Sequence, residues 1–129
     1  SLPAFSMLRA ISSAVRDQGK DYWTGTIYTT NRRVWEYDTS FKEYLKRTHA
    51  TGIDMETATL LTAGFANKIP TGALLMISDK PLEEDGVKTE ASDRVVTRNF
   101  APEHVKLGIE ALRQIIDDKK TVRHIRFSW

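Results

Sequence analysis

The 129-residue chain reads as an α/β protein built on a mainly parallel or mixed sheet. Segments of strand composition alternate with segments of helical periodicity, the order that a parallel sheet requires. Residues 72–78, Gly-Ala-Leu-Leu-Met-Ile-Ser, form a continuous apolar run, as expected for a strand covered on both faces. Residues 22–29, Tyr-Trp-Thr-Gly-Thr-Ile-Tyr-Thr, are rich in the aromatic and β-branched types that favour a pleated surface.

The elements follow in order. Residues 3–18 predict a helix, with Pro3 near its start, Leu8, Ile11 and Val15 on one face, and Gly19 at its end. The strand at 22–29 leads into a polar loop, Asn31-Arg32-Arg33. A helix from about Thr39 to Thr48 is expected to bury Phe41, Tyr44 and Leu45. Glu56–Ala66 predicts another, apolar along Ala58, Leu61 and Phe65 and closed by Asn67 and Pro70. The strand at 72–78 comes next, and residues 80–93, polar and holding Pro81 and Gly86, predict a mobile loop. Pro102 is expected to open a long helix that buries Val105, Ile109, Leu112 and Ile116. Thr121–Trp129 alternates loosely, as an edge strand or a contact surface would. So few strands do not complete a sheet unaided, and the chain opens Ser1-Leu2-Pro3 without an initiator Met. Both features predict one domain, 1–129, that is a piece of a longer or processed polypeptide.

Composition narrows the function classes. Apolar content of 40% and charged content of 28% are ordinary for a globular protein. A formal charge of +2 is too small to argue for nucleic acid or an anionic membrane. The absence of cysteine excludes disulfides and thiolate metal sites and fits a cytoplasmic location. No apolar run approaches the roughly 20 residues of a membrane span, and no stretch reads as a signal peptide. P-loop, GxGxxG and GxSxG motifs are all missing.

Two carboxylates stand out. Asp79 ends the apolar run at 72–78, and open α/β sheets bind ligands outside the carboxyl ends of their strands. Poor solvation there suits proton donation, although a turn aspartate after a strand is an equally ordinary reading. Glu56, after Met55, opens an apolar helix. Helix polarity alone favours an acid at that place. The functional alternative is a carboxylate accepting hydrogen bonds from vicinal sugar hydroxyls, with Met55 packed on the apolar face of the sugar. One carboxylate to hold a polyol and one to manage a proton suit cleavage of a glycosidic bond. Asp54 is expected to be structural, or to orient Glu56. In the loop, two arginines can clamp a phosphate or cover a base, and Trp35 can stack on a purine. A solvated basic loop with one buried Trp explains the same residues. Lys80, Lys88, Arg94 and Arg98 read mostly as surface charge, with one in reach of a site. His49, His104 and His124 show no metal-ligand spacing, and Lys119–Arg126 reads as a basic tail.

Taken together, Met55-Glu56 at a helix start and Ser78-Asp79 at a later strand end resemble the nucleoside phosphorylase and nucleosidase superfamily. Pro3-Ala4-Phe5-Ser6-Met7-Leu8-Arg9 and the strand Gly25-Thr26-Ile27-Tyr28 fit its order of elements. Within it, Asp21–Thr26, Tyr28–Glu36, Ser78-Asp79-Lys80-Pro81 and Val122–Trp129 are most similar to the AMP nucleosidases. The resemblance implies the three-layer αβα phosphorylase/hydrolase-like fold, of which the chain would be the C-terminal half of the catalytic domain. The glycine-rich first strand, the phosphate-binding arginines and the small N-terminal domain have no counterpart in it.

The same resemblance implies hydrolysis of AMP to adenine and ribose 5-phosphate. Asp79 would protonate the purine, with Ser78 beside it in the binding site, and Met55 and Glu56 would hold the ribose. Asn31 falls in the base-covering loop. Phosphorylases place a stacking aromatic where this sequence has Arg33, so stacking falls to Arg33 as a cation–π partner or to Trp35. No metal or organic cofactor is implied, and ATP and phosphate would regulate through the missing regions. AMP is the implied partner, within a homo-oligomer (a hexamer by resemblance). The isolated fragment is expected to be inactive. A purine nucleoside phosphorylase of the same fold and a non-catalytic nucleotide-binding fragment are the alternatives.

Overall fold

The computed structural model describes residues 2–117. Helix α1 spans Phe5–Asp17, with Ala4 as its extended N-cap. It ends where the sequence places it, because Gly19 adopts a left-handed φ of 66° that a side chain would resist. Strand β1 is Ile27–Thr29, helix α2 Thr39–Thr48, strand β2 Gly52–Asp54 and helix α3 Thr57–Ala66, and a single 3₁₀ turn covers Trp35–Tyr37. The long helix α4 runs from Glu90 to Asp117.

The centre is a parallel βαβ unit in which β1 pairs with β2, with α2 in the crossover. The register sets Ile27 beside Gly52, Tyr28 beside Ile53 and Thr29 beside Asp54. Backbone bonds from Thr51 to Thr26 (2.9 Å) and from Thr30 to Asp54 (2.8 Å) continue the pairing at both ends. The α/β class and the parallel pairing agree with the sequence. The extent of β1 does not: Tyr22 to Thr26 lie outside the strand, and Trp23 is 88% exposed. A strand extends only as far as its partner, and β2 is three residues long. That partner is itself too short to show any period in the sequence.

Asp38 starts α2 as the side-chain chemistry of an N-cap requires, accepting a 3.0 Å hydrogen bond from the Phe41 amide. The helix then buries Phe41 and Leu45, while Tyr44 stays partly exposed. Phe41 meets Tyr28 of β1 edge-on at 5.8 Å between centroids, and Trp35 edge-on at 6.1 Å. Such pairs add about 0.5–1.5 kcal/mol beyond burial. Phe41→Ala is expected to destabilise the unit by about 3–5 kcal/mol, read as a lower urea midpoint. An unchanged midpoint would show that this cluster does not hold α2 to the sheet.

A second layer pairs α1 with α4. Their contact is made by small side chains, Ala10, Ala14 and Ala111, with Ile11 and Ile115 packed around them. The face of α4 expected to be buried is not the one that meets α1. Val105, Ile109, Leu112 and Ile116 are all between 47% and 77% exposed. The less exposed stripe is His104, Gly108, Ala111 and Ile115, each one residue earlier. One residue is about 100° of helix rotation, so the more apolar face is turned away from α1. The alanines of α1 accept a close partner at Ala111, and that contact sets the rotation.

Pro102 also departs from its expected place, lying inside α4 rather than at its start. The helix begins twelve residues earlier because Thr89 and Ser92 cap each other: the Ser92 amide donates to Thr89 Oγ1 (3.2 Å) and the Thr89 amide to Ser92 Oγ (2.9 Å). Pro102 lacks the N–H that a helix interior uses, yet the capped helix continues through it. Residues 90–93, expected in a loop, are therefore helical.

The run 72–78 forms no strand. A strand takes its bonds from a neighbour, and the ladder of β1 and β2 does not include it. It is held from the sides instead. The Ala4 amide donates to Thr71 O (2.7 Å), and His104 Nε2 lies 3.0 Å from Leu74 O. A Cβ on Gly72 would stand 2.7 Å from Met7 Cβ, so only glycine allows α1 this close. Leu75 and Ile77 are 40% and 61% exposed, so the run is not covered on both faces. Phe65, placed by periodicity on a buried face of α3, is 85% exposed. The edge strand or contact surface read at Thr121–Trp129, and the basic tail, lie outside the described residues.

Candidate active site

The carboxyl ends of β1 and β2 stand side by side, and their last residues are bonded through side chains. Thr29 Oγ1 donates to Asp54 Oδ1 at 2.6 Å and accepts from the Ala58 amide at 3.0 Å. Asp54 Oδ2 in turn accepts from the Thr57 amide (2.6 Å) and the Glu56 amide (3.3 Å). Four hydrogen bonds thus tie two strand ends to the first turn of α3. Burial alone would push the Asp54 carboxyl up. The hydrogen bonds from Thr29, Thr57 and Glu56 outweigh it and hold the group below its usual value.

That direction has a stability consequence. The folded state binds a proton on Asp54 less readily than the unfolded chain. Its contribution is therefore present above about pH 4 and is lost as pH falls through the lowered folded value. Asp54→Asn is expected to flatten the dependence of the urea midpoint on pH below about pH 4. A variant with the same acid limb would remove Asp54 as its source.

Glu56 stands at the N-cap position of α3, yet its side chain makes no capping bond. Asp54 performs that task. Among the described residues the Glu56 carboxylate is exposed and has no hydrogen-bond or ion-pair partner. It is an available anion beside Met55, which is 40% exposed.

A cleft of about 450 Å³ opens over these strand ends. Tyr28, Thr29, Thr30, Asn31 and Arg32 form one wall, and Met55, Ala58 and Thr59 form the other. The structure therefore brings the expected Asn31 and Met55 to one cavity. Burial first, then the hydrogen bond with the neighbouring Tyr44 hydroxyl, push the Tyr28 phenol up. Arg32 is the arginine that reaches it. Its guanidinium lies 4.7 Å above the Phe41 ring and pairs with Asp38 at 3.3 Å. Arg33 is exposed and, like Trp35, does not line the cleft. Tyr28, Thr29 and Thr30 are not among the site residues expected from the sequence. The two threonines stand at a strand end, as Asp79 was expected to.

Ser78 and Asp79 form a second constellation, outside the lining of the cleft. The Ser78 hydroxyl donates to Asp79 Oδ1, and the Lys88 amide donates to Oδ2 at 3.3 Å. Between them residues 80–86 close a tight loop, with Lys80 N bonded to Gly86 O at 3.0 Å. The Lys88 ammonium is turned away, to Asp93 at 3.2 Å. Lys80 pairs with Glu83 and Arg94 with Glu90, which leaves them as surface charge. His104 serves the Leu74 carbonyl and His49 ends α2 in a left-handed conformation, both structural places. Among the described residues no cluster of three or more His, Cys, Asp or Glu could hold a metal ion, and no helix is long and apolar enough to cross a membrane.

Comparison with known proteins bears on this geometry. A crystal structure of AMP nucleosidase from Bacteroides thetaiotaomicron VPI-5482 superposes with a TM-score of 0.74 at 60% sequence identity, covering 92% of this chain and 43% of that one. AMP nucleosidases of Escherichia coli K12 and O157:H7 are each 36% identical over 91 residues, 69% of this chain. The chain spans 18% of the length of those curated relatives. The sequence model of the phosphorylase superfamily matches residues 2–117. The chain belongs to the phosphorylase superfamily.

Proposed function

We propose that this chain carries the ribose- and base-binding part of an enzyme that hydrolyses the N-glycosidic bond of AMP. The observation that supports it most is the Glu56 carboxylate, unpartnered among the described residues, beside Met55 at paired strand ends, where Asp54 has taken over the capping. The 60% identical structure is an AMP nucleosidase, which supports a nucleotide, AMP, rather than a nucleoside as the substrate.

In this reading Glu56 accepts hydrogen bonds from the ribose hydroxyls, and Met55 packs on the sugar. The bond from C1′ to N9 breaks, C1′ gains positive character, and the Glu56 contacts strengthen as it does. Asp79 passes its proton to N7, so adenine leaves neutral. Water adds to C1′ and gives up a proton, which restores the Asp79 acid for the next turnover, to give ribose 5-phosphate. Ser78 and the Lys88 amide fix the Asp79 carboxyl, while Asn31, Arg33 and Trp35 belong to the loop that covers the base. No step calls for a metal or an organic cofactor. We further propose that the chain is the C-terminal part of the catalytic domain and works within a homo-oligomer. The exposed apolar face of α4 supports that. The chain alone is expected to turn over AMP poorly, since the run ending at Asp79 has no strand neighbour among the described residues.

Assaying adenine release from AMP, and from adenosine or inosine with and without phosphate, tests the reading. AMP turnover independent of phosphate supports it. Phosphate-dependent consumption of nucleosides without AMP turnover would assign a phosphorylase. Calorimetric binding of AMP with turnover of nothing would assign a binding module. Residues 1–129 alone matching the rate of a full-length homologue would overturn the fragment reading.

A further inference from the structure

Thr29 and Asp54 do more than end two strands. They face each other in register, and their side chains are joined at 2.6 Å. The Thr29 hydroxyl uses its proton on Asp54 and a lone pair on the Ala58 amide. Asp54 reaches back to the amides of Glu56 and Thr57. The two residues on which the ribose reading rests, Met55 and Glu56, lie on the short link between Asp54 and α3. Both ends of that link are held by this one pair. Thr29 also leads into Thr30, whose Oγ1 accepts from the Arg32 amide at 3.1 Å, so the base-side wall starts from the same place.

We propose that Thr29 and Asp54 are a positioning pair that sets the Glu56 carboxylate against the sugar and keeps the two cleft walls in register. The inference rests on the Glu56 role proposed above. Neither residue acts on the substrate through its hydrogen-bonding groups, which are engaged with each other and with α3. The alternative is a helix cap that serves stability alone. The two differ in what happens once Glu56 no longer grips the ribose. A positioning pair then loses its object, whereas a stabilising cap keeps its effect.

The test is a double-mutant cycle in a preparation that hydrolyses AMP, with AMP as substrate. Thr29→Val keeps the shape of the side chain and removes the hydroxyl. It is expected to lower kcat/KM by about 10- to 100-fold, carried by kcat, because a small misplacement of a binding group has effects of that order. In the Glu56→Gln background the same substitution is expected to lower it by less than about threefold, the signature of coupled residues. Thr29→Ser restores the hydroxyl and is expected to recover activity to within about threefold of the parent, the contact having been returned. If Thr29→Val does not fold, Asp54→Asn enters the same cycle and the same coupling is expected. An equal loss in both backgrounds, or a loss not recovered by Thr29→Ser, would overturn the positioning role. If Glu56→Gln alone leaves kinetics unchanged, the ribose reading itself fails and this inference with it. A large Glu56→Gln effect without coupling removes only the inference.

Discussion

In a preparation that hydrolyses AMP, Asp79→Asn is expected to lower kcat by roughly 10²–10⁴-fold, the usual worth of a general acid. Asn preserves the volume of the side chain and its carbonyl still accepts from Ser78 or the Lys88 amide, so the loop at 80–86 should hold. AMP should still bind, and KM should move far less than kcat. What is gone is the transferable proton. The defect is therefore expected to shrink on a substrate whose base departs without protonation. A variant with the parent kcat on AMP and an unchanged circular dichroism spectrum would remove Asp79 from the chemistry.

Glu56→Gln is the second large effect. Gln keeps the length and can still accept a hydrogen bond, but the charge-assisted part of the contact is lost. That part strengthens as the sugar becomes cationic, so kcat/KM is expected to fall by about 10²-fold or more. The fold should be indifferent to the change, because the side chain caps nothing and Asp54 already satisfies the first turn of α3. Equal stability with a large kinetic loss is the expected pattern. Equal kinetics would return Glu56 to a simple preference of acids for helix N-termini.

Much of this protein was legible in the order of its residues. The limits of α2 follow from Asp38 and an apolar face, and those of α1 from its periodicity and Gly19. The pairs proposed to carry the chemistry, Met55-Glu56 and Ser78-Asp79, were visible as neighbours in sequence, and the superfamily they suggest is the one to which the chain belongs. The reciprocal cap of Thr89 and Ser92 was also there to be read, and it moves the start of α4 ahead of Pro102. All of these signals act within a turn or two of the chain, where caps, glycine and helical period have their effect.

Tertiary structure alone decided the rest. β2 has three residues, and what makes it a strand is Ile27–Thr29 lying 25 positions away. The same pairing brings Thr29 to Asp54, and so decides which carboxylate caps α3 and which stays free. The buried side of α4 depends on Ala10 and Ala14 of α1, because small side chains admit a close neighbour and fix the rotation of the helix. Arg32 rather than Arg33 lines the cleft, and its guanidinium is held by the Phe41 ring and Asp38 of another element. In each case the deciding partner is remote or belongs to another element, and local sequence carries no term for its approach.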